Sequence, residues 1–356
     1  MSKLFKPIQV GRMELSTRLA MAPMTRFRVD EDHNPLPMVK EYYEQRGSTP
    51  GTLLITEATI ISPQAGGYRA VPGIYTDSQI AAWKEVTDAV HAKGSYIYLQ
   101  LWALGRVTDP TYLPELGDYD VVSASDIPAG EGAAKPRPLS ESEIQTYIQD
   151  YAQAARNAVA AGFDGVEIHG ANGYLIDQFI QDVSNKRIDA WGGSVENRAR
   201  FALETTRAVV DAIGADRMRM ADPIPQFTYL ASEMAKLKLA YTHIVESRVA
   251  GNADIEETSD GLEFFLEAYG NATPVIIAGG YKADTALEAI DGKYQQYDAI
   301  IGFGRPWTSN PDLPFRLKAN VPLVPYDRDT FYNAGSSKGY IDWDFSPEFK
   351  TTQVGA

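Results

Sequence analysis

The sequence predicts a (β/α)8 barrel, an α/β fold in which eight parallel strands alternate with helices. Three observations point there. Short apolar runs alternate with longer amphipathic segments along the chain, the pattern of parallel strands joined by crossover helices. The runs, such as 96–101, alternate little between polar and apolar, as strands covered on both faces do. Polar and glycine-rich motifs follow directly on several runs, at the strand ends where such barrels place their active sites. No stretch has the composition of a linker, so residues 1–356 are expected to form one domain.

In chain order, strands are expected at 18–22, 52–55, 96–101, 165–168, 241–246, 274–278 and 297–301. Helices are expected at 38–46, 77–92, from Ser140 to Ala161, at 195–213, from about 225, and at 261–269, 283–290 and 312–318. Asp77 is read as the N-cap of its helix. Ser140, with Glu143 three residues on, reads as a capping box. Seven strand runs are clear, and a barrel cannot lose one without changing tilt and register. Residues 216–221, Asp-Arg-Met-Arg-Met-Ala, are therefore expected to form a short fifth strand. The polar, proline-containing stretch 108–138 is expected to be a surface excursion.

The 356 residues are 44% hydrophobic, enough for a large core. Asp and Glu (47) outnumber Lys and Arg (33), giving a net charge of −14. Such a chain repels phosphate backbones and anionic membranes at long range, so neither nucleic acid nor a membrane is an expected partner. A small anion can still be held by a local basic pocket. The absence of cysteine excludes disulfides, thiol catalysis and cysteine-ligated metals. His33, His91, His169 and His243 form no close metal-ligand pair, so no metal site is expected. The N-terminus lacks an apolar targeting core and no stretch is long enough to span a bilayer, so a cytoplasmic protein is expected.

The most informative segment is 168–179, Ile-His-Gly-Ala-Asn-Gly-Tyr-Leu-Ile-Asp-Gln-Phe. It sets His169, Asn172 and Tyr174 just past a buried strand, where two hydrogen-bond donors can hold a developing oxyanion while a phenol delivers a proton. The same residues could also merely cap the next helix. Ala278-Gly279-Gly280 and Gly302-Phe303-Gly304-Arg305 end the last two strands, where barrels commonly bind phosphate. Glycine lets backbone N–H groups approach the oxygens, and Arg305 adds a positive fork. Pro23 and Thr25 end the first strand, Gln100 and Trp102 the third. The charged segment 186–201 reads as a turn and a capped helix start rather than a substrate clamp. No Lys stands at the end of a predicted strand, which argues against a Schiff-base aldolase.

Taken together and in order, these motifs resemble the old yellow enzymes, FMN-dependent ene-reductases. They are Ala22-Pro23-Met24-Thr25-Arg26, the Leu-Gln-Leu-Trp-Ala-Leu-Gly-Arg run at 99–106, the His-Gly-Ala-Asn-Gly-Tyr run at 169–174, the Asn-Lys-Arg to Arg-Phe run at 185–201, and Gly-Phe-Gly-Arg-Pro-Trp at 302–307. The resemblance implies NADPH as hydride donor, FMN as carrier, and a small-molecule enone or enal as substrate, in a monomer or homodimer. Hydride would leave flavin N5 for the substrate's β-carbon. By the same resemblance Thr25, beside Pro23 and Met24, would hydrogen-bond the flavin carbonyl next to N5. Gln100 would meet the pyrimidine edge, Ala58 would add backbone contact, and Gly279, Gly280, Gly304 and Arg305 would hold the phosphate. His169 and Asn172 would bind the substrate oxygen, Tyr174 would be the proton donor, and Trp102 and Tyr340 would line the substrate mouth. Relatives with Phe in place of Tyr174 favour isomerisation, so Tyr174 points to net reduction.

One departure stands out. The family's fifth strand carries an Arg near the flavin, whereas here 215–217 runs directly into Met218-Arg219-Met220-Ala221-Asp222-Pro223. Either the strand is lost, or Met218-Arg219-Met220 replaces it and Arg219 does the work of that Arg. We take the second alignment. Under the first, the chain is a barrel that has lost its flavin and serves as a binding or non-catalytic protein.

Overall fold

The computed structural model describes residues 2–214, 224–246, 249–250, 253–254 and 261–354. Among the described residues eight parallel strands make one curled sheet: the seven barrel strands Leu19–Met21, Leu53–Ile55, Tyr96–Trp102, Gly165–Ile168, Thr242–Val245, Val275–Ala278 and Ala299–Phe303, and the short Thr59–Ile60, which continues beside the end of Tyr96–Trp102. Spatial order of the seven follows chain order, and the last strand pairs with the first (Ile301 opposite Leu19), as closure of a barrel requires. The expected fifth strand at 216–221, with Arg219, lies outside the described residues.

The runs look continuous because two different sets of apolar residues alternate along them. Ala20, Leu53, Ile55, Tyr98, Tyr241, Ile276 and Ile300 form an inner cluster. Leu19, Met21, Leu54, Ile97, Leu99, Val166, Ile277 and Ile301 belong to the outer core shared with the helices. An antiparallel hairpin, Ile8–Val10 with Met13–Leu15, adds Ile8, Val10, Met13 and Leu15 to the inner cluster and fills the barrel from one end. The opposite end, where the strands finish, stays open for a site.

The helices sit close to where the sequence places them. Ser140 accepts the Glu143 N–H, and the Glu143 carboxylate accepts the Ser140 N–H, at the head of Glu141–Ala160. Helix Asp77–Ala92 is capped by Thr76, not by Asp77 as expected. Thr76 holds extended backbone and faces Gln79 three residues on, which completes a capping box, while Asp77 is already helical. The excursion 108–138 is more ordered than expected: it carries helix Leu113–Leu116 and pairs Val122–Ser123 with Arg137–Pro138. No described helix is long and apolar enough to cross a membrane.

Candidate active site

Segment 169–174 is a tight turn whose shape follows from its residues. Asn172 (φ 59°) and Gly173 (φ 79°) are both left-handed, a conformation that Asn tolerates and Gly takes freely. The Gly173 N–H donates to Asp177 Oδ2 at 2.8 Å. Buried Gln178 fixes the turn from behind, donating to Gly173 O (2.7 Å) and Leu104 O (3.0 Å) and accepting from the Ser123 hydroxyl (2.9 Å). The excursion thus braces the turn.

Tyr174 precedes helix Leu175–Ile180 without capping it. Its ring packs edge-on against Trp102 (centroids 4.9 Å, 87°) and against His169 (4.9 Å, 61°). Burial, followed by the nearby Tyr68 and Tyr332, pushes the Tyr174 phenol up to about 12, so it stays protonated at neutral pH.

These three side chains line a cavity of about 530 Å³ at the strand ends. Pro23, Met24, Thr25, Ala58, Gln100, Trp102, Gly279, Gly280, Gly304 and Arg305 line it too, so the structure brings thirteen of the fifteen expected site residues together. Arg219 lies outside the described residues. Tyr340 is a correction. It is fully buried, lies flat on Tyr42 (4.0 Å, 2°) and does not line the cavity. The mouth aromatics are instead Tyr332, half exposed, with Phe331 and Tyr326.

The reason is a clamp of buried guanidinium groups. Arg26 donates to Phe331 O (3.1 Å), Gly339 O (2.8 Å) and the Tyr42 hydroxyl (3.2 Å). Arg28 donates to Phe331 O, Thr330 O and Ser336 O. Arg46 reaches Thr308 O and Tyr340 O. The clamp turns residues 331–332 towards the cavity and Tyr340 into the core. Glu57, also buried, accepts the Arg26 N–H at 3.0 Å.

At the far end Gly279 (φ 150°) and Gly280 (φ 67°) follow their strand, with Arg305 and Lys282 on the same wall. A Cβ on Gly279 would stand 2.7 Å from the Glu246 Cβ, so the close approach requires glycine. Sequence reasoning missed Glu167, His243, Tyr281 and Lys282, which also line the cavity. Glu167 and His243 are polar residues inside otherwise apolar strands, a signal that was there to be read. The segment 186–201 is structural, as expected: Arg187 pairs with Asp189, and Ser194 caps helix Val195–Ile213 by accepting the Asn197 N–H.

Comparison with known proteins agrees with this geometry. The model of the NADH:flavin oxidoreductase / NADH oxidase family matches residues 3–323. The chain belongs to this family. It is 64% identical over 363 aligned positions, covering 98% of each chain, to a chanoclavine-I aldehyde reductase of Penicillium roqueforti. The aligned positions outnumber the 356 residues here, so that relative carries residues without a counterpart in this chain. Identity is 51% (98% and 97% covered) to an NADP-dependent oxidoreductase of Aspergillus flavus. The old yellow enzyme of Pichia sp. AKU4542 superposes with a TM-score of 0.89 at 39% identity, covering 97% of this chain and 94% of that one. As a member of the flavin oxidoreductase family the chain is an old yellow enzyme-type barrel, an FMN-dependent oxidoreductase that uses a nicotinamide nucleotide. The residues fit FMN: a glycine cradle with an Arg and a Lys at one end suits a phosphate, and Gln100 and Thr25 offer polar atoms for a flavin ring.

Proposed function

We propose that the protein reduces the carbon–carbon double bond of α,β-unsaturated carbonyl compounds, enals above all, with NADPH as reductant. The observation that carries this reading is the grouping of His169, Asn172 and a protonated Tyr174 at one strand end, on the wall of a cavity suited to FMN. The aldehyde-reductase description of the Penicillium roqueforti relative supports an aldehyde-bearing substrate.

FMN, when bound, supplies the redox chemistry. His169 and Asn172 donate hydrogen bonds to the carbonyl oxygen and stabilise the charge that grows there as the double bond is reduced. Tyr174 holds its proton until the α-carbon takes it. Trp102 keeps the phenol aimed by packing on its edge. Thr25, beside Pro23 and Met24, and Gln100 would face the flavin ring, and Ala58 would add backbone contact. Gly279, Gly280, Gly304 and Arg305 would hold the phosphate, and Arg219, outside the described residues, would do the work of the family's fifth-strand Arg. Phe331 and half-exposed Tyr332 line the cavity, where they would shield a bound substrate from water.

The test is a titration of the purified protein with FMN, followed by NADPH and an enal. The expected result is a yellow complex that yields the saturated aldehyde. A protein that refuses FMN at every concentration is the flavin-free barrel instead, and an allylic alcohol product overturns the proton-donor role of Tyr174.

A further inference from the structure

Gln100 and Glu167 face each other in register on neighbouring strands, and both are buried on the cavity wall. Gln100 Nε2 donates to Glu167 Oε1 at 2.8 Å. The Tyr241 hydroxyl donates to Glu167 Oε2 at 3.1 Å, and His243 Nδ1 lies 3.6 Å from the same oxygen. Each carboxyl oxygen of Glu167 thus accepts a hydrogen bond, Oε1 from Gln100 and Oε2 from Tyr241.

That pairing reaches the cavity. A primary amide has a donor end and an acceptor end of the same shape. With Glu167 Oε1 accepting from Nε2, Gln100 cannot turn over without setting its own oxygen against that oxygen and losing the hydrogen bond. Nε2 is therefore tied to Glu167, and among the described residues no group donates to Gln100 Oε1.

We propose that Glu167 is a positioning residue that sets which end of the Gln100 amide the cavity presents, so that the wall offers an acceptor and selects a flavin bearing an N–H on its pyrimidine edge. The proposal rests on the reading above that Gln100 meets that edge. It gives the buried acid a part in cofactor selection rather than in the reaction.

The probe is N3-methyl-FMN, which lacks that N–H. The unaltered protein is expected to bind FMN at least about tenfold more tightly than N3-methyl-FMN, as loss of one buried hydrogen bond implies. Glu167→Gln keeps the volume but can face Gln100 with either end, so the ratio is expected to fall to about threefold or less. Gln100→Ala is expected to do the same. The ratio compares two ligands on one protein, so a general loss of stability does not move it. Full discrimination in Glu167→Gln overturns the proposal. If the unaltered protein binds neither flavin, the assigned function falls instead. Should Glu167→Gln not fold, the unaltered protein labelled with 15N-glutamine decides. The Gln100 side-chain signal, identified by its loss in Gln100→Ala, is expected to show two well-separated protons protected from solvent exchange. Averaged, fast-exchanging protons overturn the proposal.

Discussion

Replacing Glu57 with Gln isolates one buried charge and yields a stability difference that can be worked out in advance. The Glu57 carboxyl is 1% exposed and accepts the Arg26 N–H at 3.0 Å. It faces the Arg26 and Arg28 guanidinium groups, Tyr43 of helix Pro37–Arg46, and Tyr340. Burial outweighs the favourable charges and raises its pKa from 4.5 to about 7. The unfolded chain releases this proton near the ordinary value, while the folded chain keeps it until near neutrality. Between those values the folded state binds more protons, so stability falls as pH rises. From about pH 5 to about pH 8 the loss is roughly 2–3 kcal/mol, at about 1.4 kcal/mol per pH unit. Gln cannot titrate, so Glu57→Gln is expected to lack this part of the decline. Urea denaturation of both proteins at the two pH values and equal ionic strength gives the difference, in which all other titrating groups cancel. A variant whose stability falls as steeply as that of the parent refutes the assignment.

Three further outcomes follow from the geometry. Tyr174→Phe keeps the ring packing but removes the proton, so turnover of an enal is expected to fall about 10²–10⁴-fold with little change in KM; unchanged kcat assigns the proton to another group. Gly279→Ala forces a Cβ to 2.7 Å from the Glu246 Cβ at a φ of 150°, and a strain of about 1–3 kcal/mol should appear as weaker FMN binding in a fluorescence titration. Tyr332→Ala is expected to change KM for bulky substrates at unchanged stability, whereas Tyr340→Ala should cost about 3–5 kcal/mol in denaturation, as loss of a buried aromatic does; the reverse pattern would restore Tyr340 to the mouth.

The strands were legible because their apolar runs are short and bounded, as at Val275–Ala278, and because the His169 to Tyr174 motif follows one directly. Local pattern also identified Ser140 as a cap and a capped helix start within 186–201, where Ser194 is the residue that caps. It failed at Thr76, where two good capping residues are adjacent and only the position of Gln79 separates them. The choice between Tyr332 and Tyr340 was beyond local reading: it is made by Arg26 and Arg28, some three hundred residues away in the chain. The network around Glu167 was equally hidden, since Gln100, Glu167 and Tyr241 come from three separate strand regions.

That distant clamp has a consequence for how the protein is born. Arg26 leaves the ribosome 305 residues ahead of its acceptor on Phe331, and at cellular synthesis rates the wait lasts roughly 15–60 s. Through that interval the nascent barrel holds guanidinium groups whose final acceptors do not yet exist. The aromatic wall at Phe331 and Tyr332 is thus a late part of the molecule to be assembled, and a chain that stalls short of Phe331 has the glycine-lined end of the cavity but not this wall.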